Sequence, residues 1–174
     1  MLETKLVIFF IITFPVWLIG RTRFLRKRKR RPQFLGEIVV QMFAFYFLTV
    51  AYLTFEPFTF QIPFIGDRPF SFDTQLFYRL LHMAPGHIHL QLLYSIGNVL
   101  LFVPFGMLAP VIFTKLRHVV FLVFASFMFS LTIEMTQALF TLTRMGTVDD
   151  LFFNTLGGLL GYIIFRCAAK LGGK

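Results

Sequence analysis

Residues Ser130–Gly161 read SLTIEMTQALFTLTRMGTVDDLFFNTLGGLLG. Two apolar segments of membrane length meet here across a short polar hairpin, and several polar residues lie where lipid should forbid them. Glu134 sits inside the apolar run from Val119 to Phe140. Hydrocarbon cannot solvate a carboxylate, and placing one at the centre of a membrane helix costs roughly 2.5–3.5 kcal/mol on insertion scales. Such a residue must face other helices or a wet cavity, which makes Glu134 the first candidate for function.

The composition around this stretch has the same character. Of 174 residues, 57% are apolar and 26 are Phe, and the mean hydropathy is +0.75. Soluble domains hold about 45–50% apolar residues, so the chain reads as an all-α integral membrane protein, and its length allows one domain. The net charge of +9 is unevenly spread: eight of the 17 basic residues fall between Arg21 and Arg31, between two apolar segments. That block is a topology signal and a contact for anionic lipid. A short basic loop held at a membrane is poorly suited to nucleic acid, which is excluded as a partner. The single cysteine, Cys167, rules out an internal disulfide.

In chain order, Leu6–Ile19 is a first apolar run, short for a span, which needs about 20 residues. Lys5 and Arg21 can extend it by snorkelling. Its basic block follows the apolar core instead of preceding it, which points to an uncleaved helix with the N-terminus outside. Phe34–Phe55 is the second span. Glu37 lies near its inner end, where Arg30 and Arg31 offer an interfacial ion pair. Glu56–His89 is too polar to cross, and Pro57, Pro63 and Pro69 prevent a regular helix at its start. An interfacial helix is expected from Asp73 to Met83, with Leu76, Phe77, Leu80 and Leu81 on one face. Leu90–Val111, Val119–Phe140 and Leu151 to about Ala169 complete five spans, with a kink expected at Pro104. Placing the Arg21–Arg31 block inside puts the other inner segments at Thr114–His118 and the C-terminal tail. The N-out, C-in arrangement then satisfies the positive-inside rule at every connection.

Depth gathers the polar residues. At about 1.5 Å per residue, Glu134 lies roughly 9 Å below the outer end of its span, Asn98 roughly 12 Å and Asn154 roughly 6 Å. On the fourth span Ser126, Ser130, Glu134 and Ala138 form an i, i+4 row with Gln137 beside it. On the fifth, Asp150, Asn154, Gly157, Gly158 and Gly161 make a small-and-polar stripe whose GxxxG spacing permits close helix approach. The hairpin tip adds Arg144, a planar donor suited to phosphate or carboxylate, and the pair Asp149 and Asp150. Asp150 is placed to hold Arg144 or to cap its helix. A polar network that only locks the bundle would use the same residue types.

The runs NVLLFVPFG (Asn98–Gly106), SLTIEMTQ (Ser130–Gln137) and R-x5-D-x3-N-x2-G-G-x2-G (Arg144–Gly161) resemble the VanZ-like family of bacterial membrane proteins. The similarity covers roughly residues 90–165, and EPFTF at Glu56–Phe60 is similar to the family's segment before the loop. Asn98, Glu134, Gln137, Arg144, Asp150 and Asn154 match its polar positions. Many members carry an acid where this chain has Thr147, with Asp149 a candidate to compensate. The resemblance implies a multi-pass protein of the bacterial plasma membrane and, through the founding member, a link to resistance to the glycopeptide teicoplanin. It implies no established chemistry.

The resulting expectation is an outward-opening site for an anionic lipid or a lipid-linked cell-wall precursor. Glu134 is the candidate proton carrier if the ligand is modified, and Arg144, Asn98, Gln137, Asp149, Asp150 and Asn154 are the ligand-binding groups. The alternative is a non-catalytic scaffold or target-shielding protein whose polar network is structural. A transporter would need an oligomer to enclose a pathway. No cofactor is expected: no Gly-rich phosphate loop and no Ser/His/Asp or Cys/His arrangement is present, and His82, His87 and His89 lack a further ligand at zinc spacing.

Overall fold

A computed structural model describes residues 2–28, 33–56, 58–62, 72–78 and 88–172. Five helices dominate: α1 (Leu2–Lys27), α2 (Phe34–Phe55), α3 (Ile88–Ile112), α4 (Val119–Phe140) and α5 (Val148–Gly172), with a 3-10 turn at Thr114–Arg117 between α3 and α4. Among the described residues these five are each long and apolar enough to cross a membrane. The chain is an all-α, multi-pass membrane protein.

The first segment is longer than its apolar run. Helix α1 has 26 residues and carries Arg21, Arg23, Arg26 and Lys27 within it, so much of the basic block continues a helix instead of forming a loop. Lys and Arg are good helix formers, and their charged heads can reach past the apolar boundary. Lys29, Arg30 and Arg31 lie outside the described residues. Helix α4 has the boundaries read from its apolar run, whereas α3 and α5 extend one to three residues beyond theirs at each end. Helix α3 continues through Pro104 and Pro110.

The chain divides into two compact units, Met1–Leu53 and Thr54–Lys174. In the first, α1 and α2 are antiparallel. Phe10 stacks on Phe45 at 4.6 Å between centroids, and Phe9 meets Tyr52 edge-on. Glu37 pairs with Arg21, accepting from Nε at 3.0 Å and Nη2 at 2.8 Å. It does so because the hairpin brings the end of α1 against the start of α2. Gln41 donates to Glu37 at 2.8 Å and accepts from the Trp17 indole at 2.8 Å, which completes a polar ladder between the helices.

In the second unit α5 is the central helix, packed against both α3 and α4. Glycines permit its closeness to α3. A Cβ on Gly157 would lie 2.1 Å from the Val99 carbonyl oxygen, one on Gly161 2.1 Å from that of Val103, and one on Gly106 2.0 Å from that of Gly158. The GxxxG pair therefore serves the α3–α5 crossing, and it is Gly158 that faces α4, against the Ser126 side chain. Phe102, Phe105 and Phe129 join α3 to α4, their centroids 5.3–6.2 Å apart. Large apolar side chains such as Leu93, Leu100, Phe121 and Phe124 stay exposed, as lipid-facing positions should.

The connection after α2 departs from expectation. Asp73 belongs to a two-residue strand, β1 (Phe72–Asp73), which pairs in parallel with β2 (Gly146–Thr147) in the hairpin. The interfacial helix does not begin there, because backbone ladder bonds compete successfully with a helix cap. Leu76 and Phe77 form a turn and Tyr78 is helical. The rest of that element, Arg79 to Met83, lies outside the described residues, as do His82, His87, Pro57, Pro63 and Pro69.

Candidate functional site at the hairpin end

The α4–α5 hairpin is held from two sides. Phe60 bridges Thr141 in antiparallel fashion, with Leu142 N–H donating to the Thr59 carbonyl and Gln61 N–H to that of Phe140, both at 3.0 Å. Strand β1 holds the other side through β2. Gly146 is required in that ladder: a Cβ there would lie 2.5 Å from the Phe72 ring and 2.9 Å from the Glu134 carbonyl oxygen.

Thr147 organises the polar cluster. Its backbone N–H donates to Glu134 Oε2 at 3.1 Å, and its hydroxyl accepts from the Asp150 N–H at 3.1 Å. The second contact is a helix N-cap, with Thr147 satisfying one of the free amides of the first turn of α5. Thr147, not Asp150, is thus the capping residue. An aspartate at this position would cap equally well.

The Asp150 carboxylate accepts from Asn98 Nδ2 at 2.5 Å and from the Tyr94 hydroxyl at 3.1 Å, both on α3. Asp149 accepts at 2.6 Å from the N–H of Phe77, which adopts a φ of 57° and lays its ring against Phe152 and Phe153. The two neighbouring acids therefore have separate tasks: Asp150 ties α5 to α3, and Asp149 ties it to the outer connection. Glu134, only 2% exposed, points inward. One turn deeper, Asn154 donates to Ser130 Oγ at 2.9 Å, while its Oδ1 and the Ser126 hydroxyl are buried with no partner among the described residues.

A cavity of about 280 Å³ opens beside this cluster, lined by Asp73, Gln75, Tyr94, Arg144, Thr147, Asp149 and Asp150 among others. The Arg144 guanidinium lies close enough to act electrostatically on Glu134, Asp150 and the Tyr94 hydroxyl. The sequence-derived residues accordingly fall into layers. Arg144, Asp149 and Asp150 line the cavity. Glu134 and Asn98 sit behind it, bonded to the lining residues Thr147 and Asp150. Asn154 is deeper, on Ser130. Gln137 is buried beside the Ser126–Ser130–Glu134–Ala138 row of α4, and its backbone carbonyl accepts the Thr141 amide and hydroxyl.

Tyr94 is the participant that sequence reading missed. It precedes Asn98 by one helical turn, so the i, i+4 rule places both on one face of α3. Asp73 and Gln75 carry no such signal, because their position depends on a strand pairing of two residues.

These features define a polytopic membrane protein with a polar pocket at one end of a three-helix unit. A family model described as VanZ/LLP1 matches residues 43–169, and the chain belongs to the VanZ-like family. Neither a curated protein nor a solved structure matches it.

Proposed function

We propose that the protein resides in the bacterial plasma membrane and uses the hairpin-end cavity to bind a lipid-linked cell-wall precursor, and that it contributes in this way to glycopeptide (teicoplanin) tolerance. The observation that carries the reading is the mixed lining: one guanidinium, Arg144, among three carboxylates, Asp73, Asp149 and Asp150, in a cavity of about 280 Å³. A simple anionic lipid would meet Arg144 but find the carboxylates repulsive. A sugar linked to lipid through phosphate offers both an anion for the guanidinium and hydroxyl or amide donors for carboxylate oxygens. Glu134, one residue layer behind the cavity, is the proton carrier if the bound molecule is modified.

The test is mass spectrometry of lipids retained by purified wild type and by Arg144→Ala. Selective loss of a lipid-linked sugar phosphate from the variant is the expected result; identical retained lipids would reject the assignment. Glu134→Gln preserves an acceptor for the Thr147 amide, so it should fold normally and, if proton transfer matters, lose resistance.

The scaffold reading draws support from a different observation. Glu134, Asp149 and Asp150 all accept hydrogen bonds from within the protein, so the network also knits α3, α4 and α5. Under that reading, protein level and activity fall together in every variant of the cluster, and Arg144→Ala changes no lipid.

A further inference from the structure

The opposite end of the second unit carries a cavity of about 410 Å³ lined by Arg117, Phe165, Arg166, Ala169 and Lys170. We infer that it is a binding site for a phosphate-bearing anion, supplied as the headgroup of an anionic phospholipid. It is separate from the hairpin-end site, with no lining residue in common.

Arg117 is built into place. Its Nε donates at 3.2 Å to the Pro110 carbonyl near the C-terminus of α3, where helix carbonyls lack internal partners. Its own carbonyl accepts at 2.7 Å from the Tyr162 hydroxyl, and Tyr162 is a buried residue of α5. The 3-10 turn is thereby fastened to both α3 and α5. The terminal Nη groups keep their donors for a ligand, in the planar arrangement that matches phosphate oxygens. Arg166 and Lys170 follow Tyr162 at four-residue intervals, along one face of α5.

Charge and shape point the same way. No Asp or Glu occurs between Gly106 and Ile133 or after Asp150, so the two helix ends that form this cavity bring cations with no carboxylate. Among the described residues no ion pair involves Arg117, Arg166 or Lys170. All three cations are exposed around one cavity, so their combined positive potential is open to an incoming anion. Phe165 and Ala169 give it an apolar wall, against which the glyceryl and first acyl carbons can lie. That wall favours a lipid over free phosphate. The positive-inside rule assigns this end to the cytoplasmic leaflet, where basic pockets between helices meet anionic headgroups.

The experiment is native mass spectrometry of the full chain in detergent, titrated with phosphatidylglycerol, phosphatidylcholine or inorganic phosphate. Wild type is compared with Arg117→Gln/Arg166→Gln/Lys170→Gln and with Arg23→Gln/Arg26→Gln/Lys27→Gln, which removes equal charge from α1. Phosphatidylglycerol should bind in preference to phosphatidylcholine, about tenfold or more weaker in the first triple variant, and much less affected in the second. Competition by inorganic phosphate would show that the phosphate is the recognised group. Binding of inorganic phosphate without preference between the lipids would overturn the lipid assignment. Equal losses in both triple variants would reduce the effect to bulk charge, and no loss in the first would remove the site. Circular dichroism checks that both variants are folded, and an Arg117→Lys/Arg166→Lys variant should retain most of the preference.

Discussion

At the scale of single residues, Thr147 concentrates the argument, because one backbone N–H and one hydroxyl serve two different carboxylate-bearing residues. Thr147→Val keeps the amide bond to Glu134 but removes the cap. It should lower stability in detergent by about 1 kcal/mol, read as a shift in the chaotrope midpoint. Thr147→Asp should recover most of that loss, since aspartate is as good a cap. If the two variants are equally destabilised, the hydroxyl acts through packing and not as a cap. Glu134 is legible as a candidate because a carboxylate in an apolar run is conspicuous at any depth, and Asp150 because it opens the polar stripe of the next span. Their partners are not. Thr147 is an ordinary hairpin residue by sequence, and Glu37 was expected to pair with Arg30 or Arg31. Proximity along the chain suggested those two arginines, whereas the antiparallel helices bring Arg21 to Glu37 at 2.8 Å.

At the scale of elements, the glycine face of α5 and the outer connection each make a prediction. Gly157→Ala and Gly161→Ala would place a methyl 2.1 Å from a backbone carbonyl of α3. Neither helix backbone can yield locally, so each variant should lose about 1–3 kcal/mol, seen as a lower melting temperature. Gly36→Ala is the control: nothing lies within 4 Å of its added Cβ, and a helical Gly→Ala change should gain about 0.5–1 kcal/mol. The connection depends on the Asp149–Phe77 bond. Asp149→Ala leaves the Phe77 amide without its acceptor, so limited proteolysis should cut the 72–78 segment faster, while Asp149→Asn retains an acceptor oxygen and should resist cleavage nearly as wild type does. The spans themselves were readable because a long apolar run bounded by polar residues has few alternatives in lipid. The small-residue stripe was readable as a close-packing face, but sequence spacing could not say whether α3 or α4 would occupy it. A ladder of two residues per strand has no periodicity to detect, so β1 and β2 were invisible.

At the scale of the whole molecule, charge distribution makes a claim that helix packing alone does not. With the Arg21–Arg31 block inside, eight basic residues there, two at Lys115 and Arg117 and three at Arg166, Lys170 and Lys174 lie on the cytoplasmic side, thirteen of the 17 in all. Only Lys5, Arg68, Arg79 and Arg144 remain outside. That orientation predicts a hairpin-end cavity on the outer leaflet and a cation-lined cavity on the inner one, with the two proposed ligands in different leaflets. The arrangement can be tested because the chain has a single cysteine, Cys167. On a Cys167→Ser background, Leu142→Cys places a thiol at an exposed hairpin position, and Gly172→Cys places one at the far end of α5, where nothing lies within 4 Å of the new Cβ. A membrane-impermeant maleimide added to intact spheroplasts should label the first without permeabilisation and the second only after it. The reverse pattern would invert the molecule, place the Arg144 pocket on the cytoplasmic side, and rule out any direct encounter there with a precursor already carried to the outer surface.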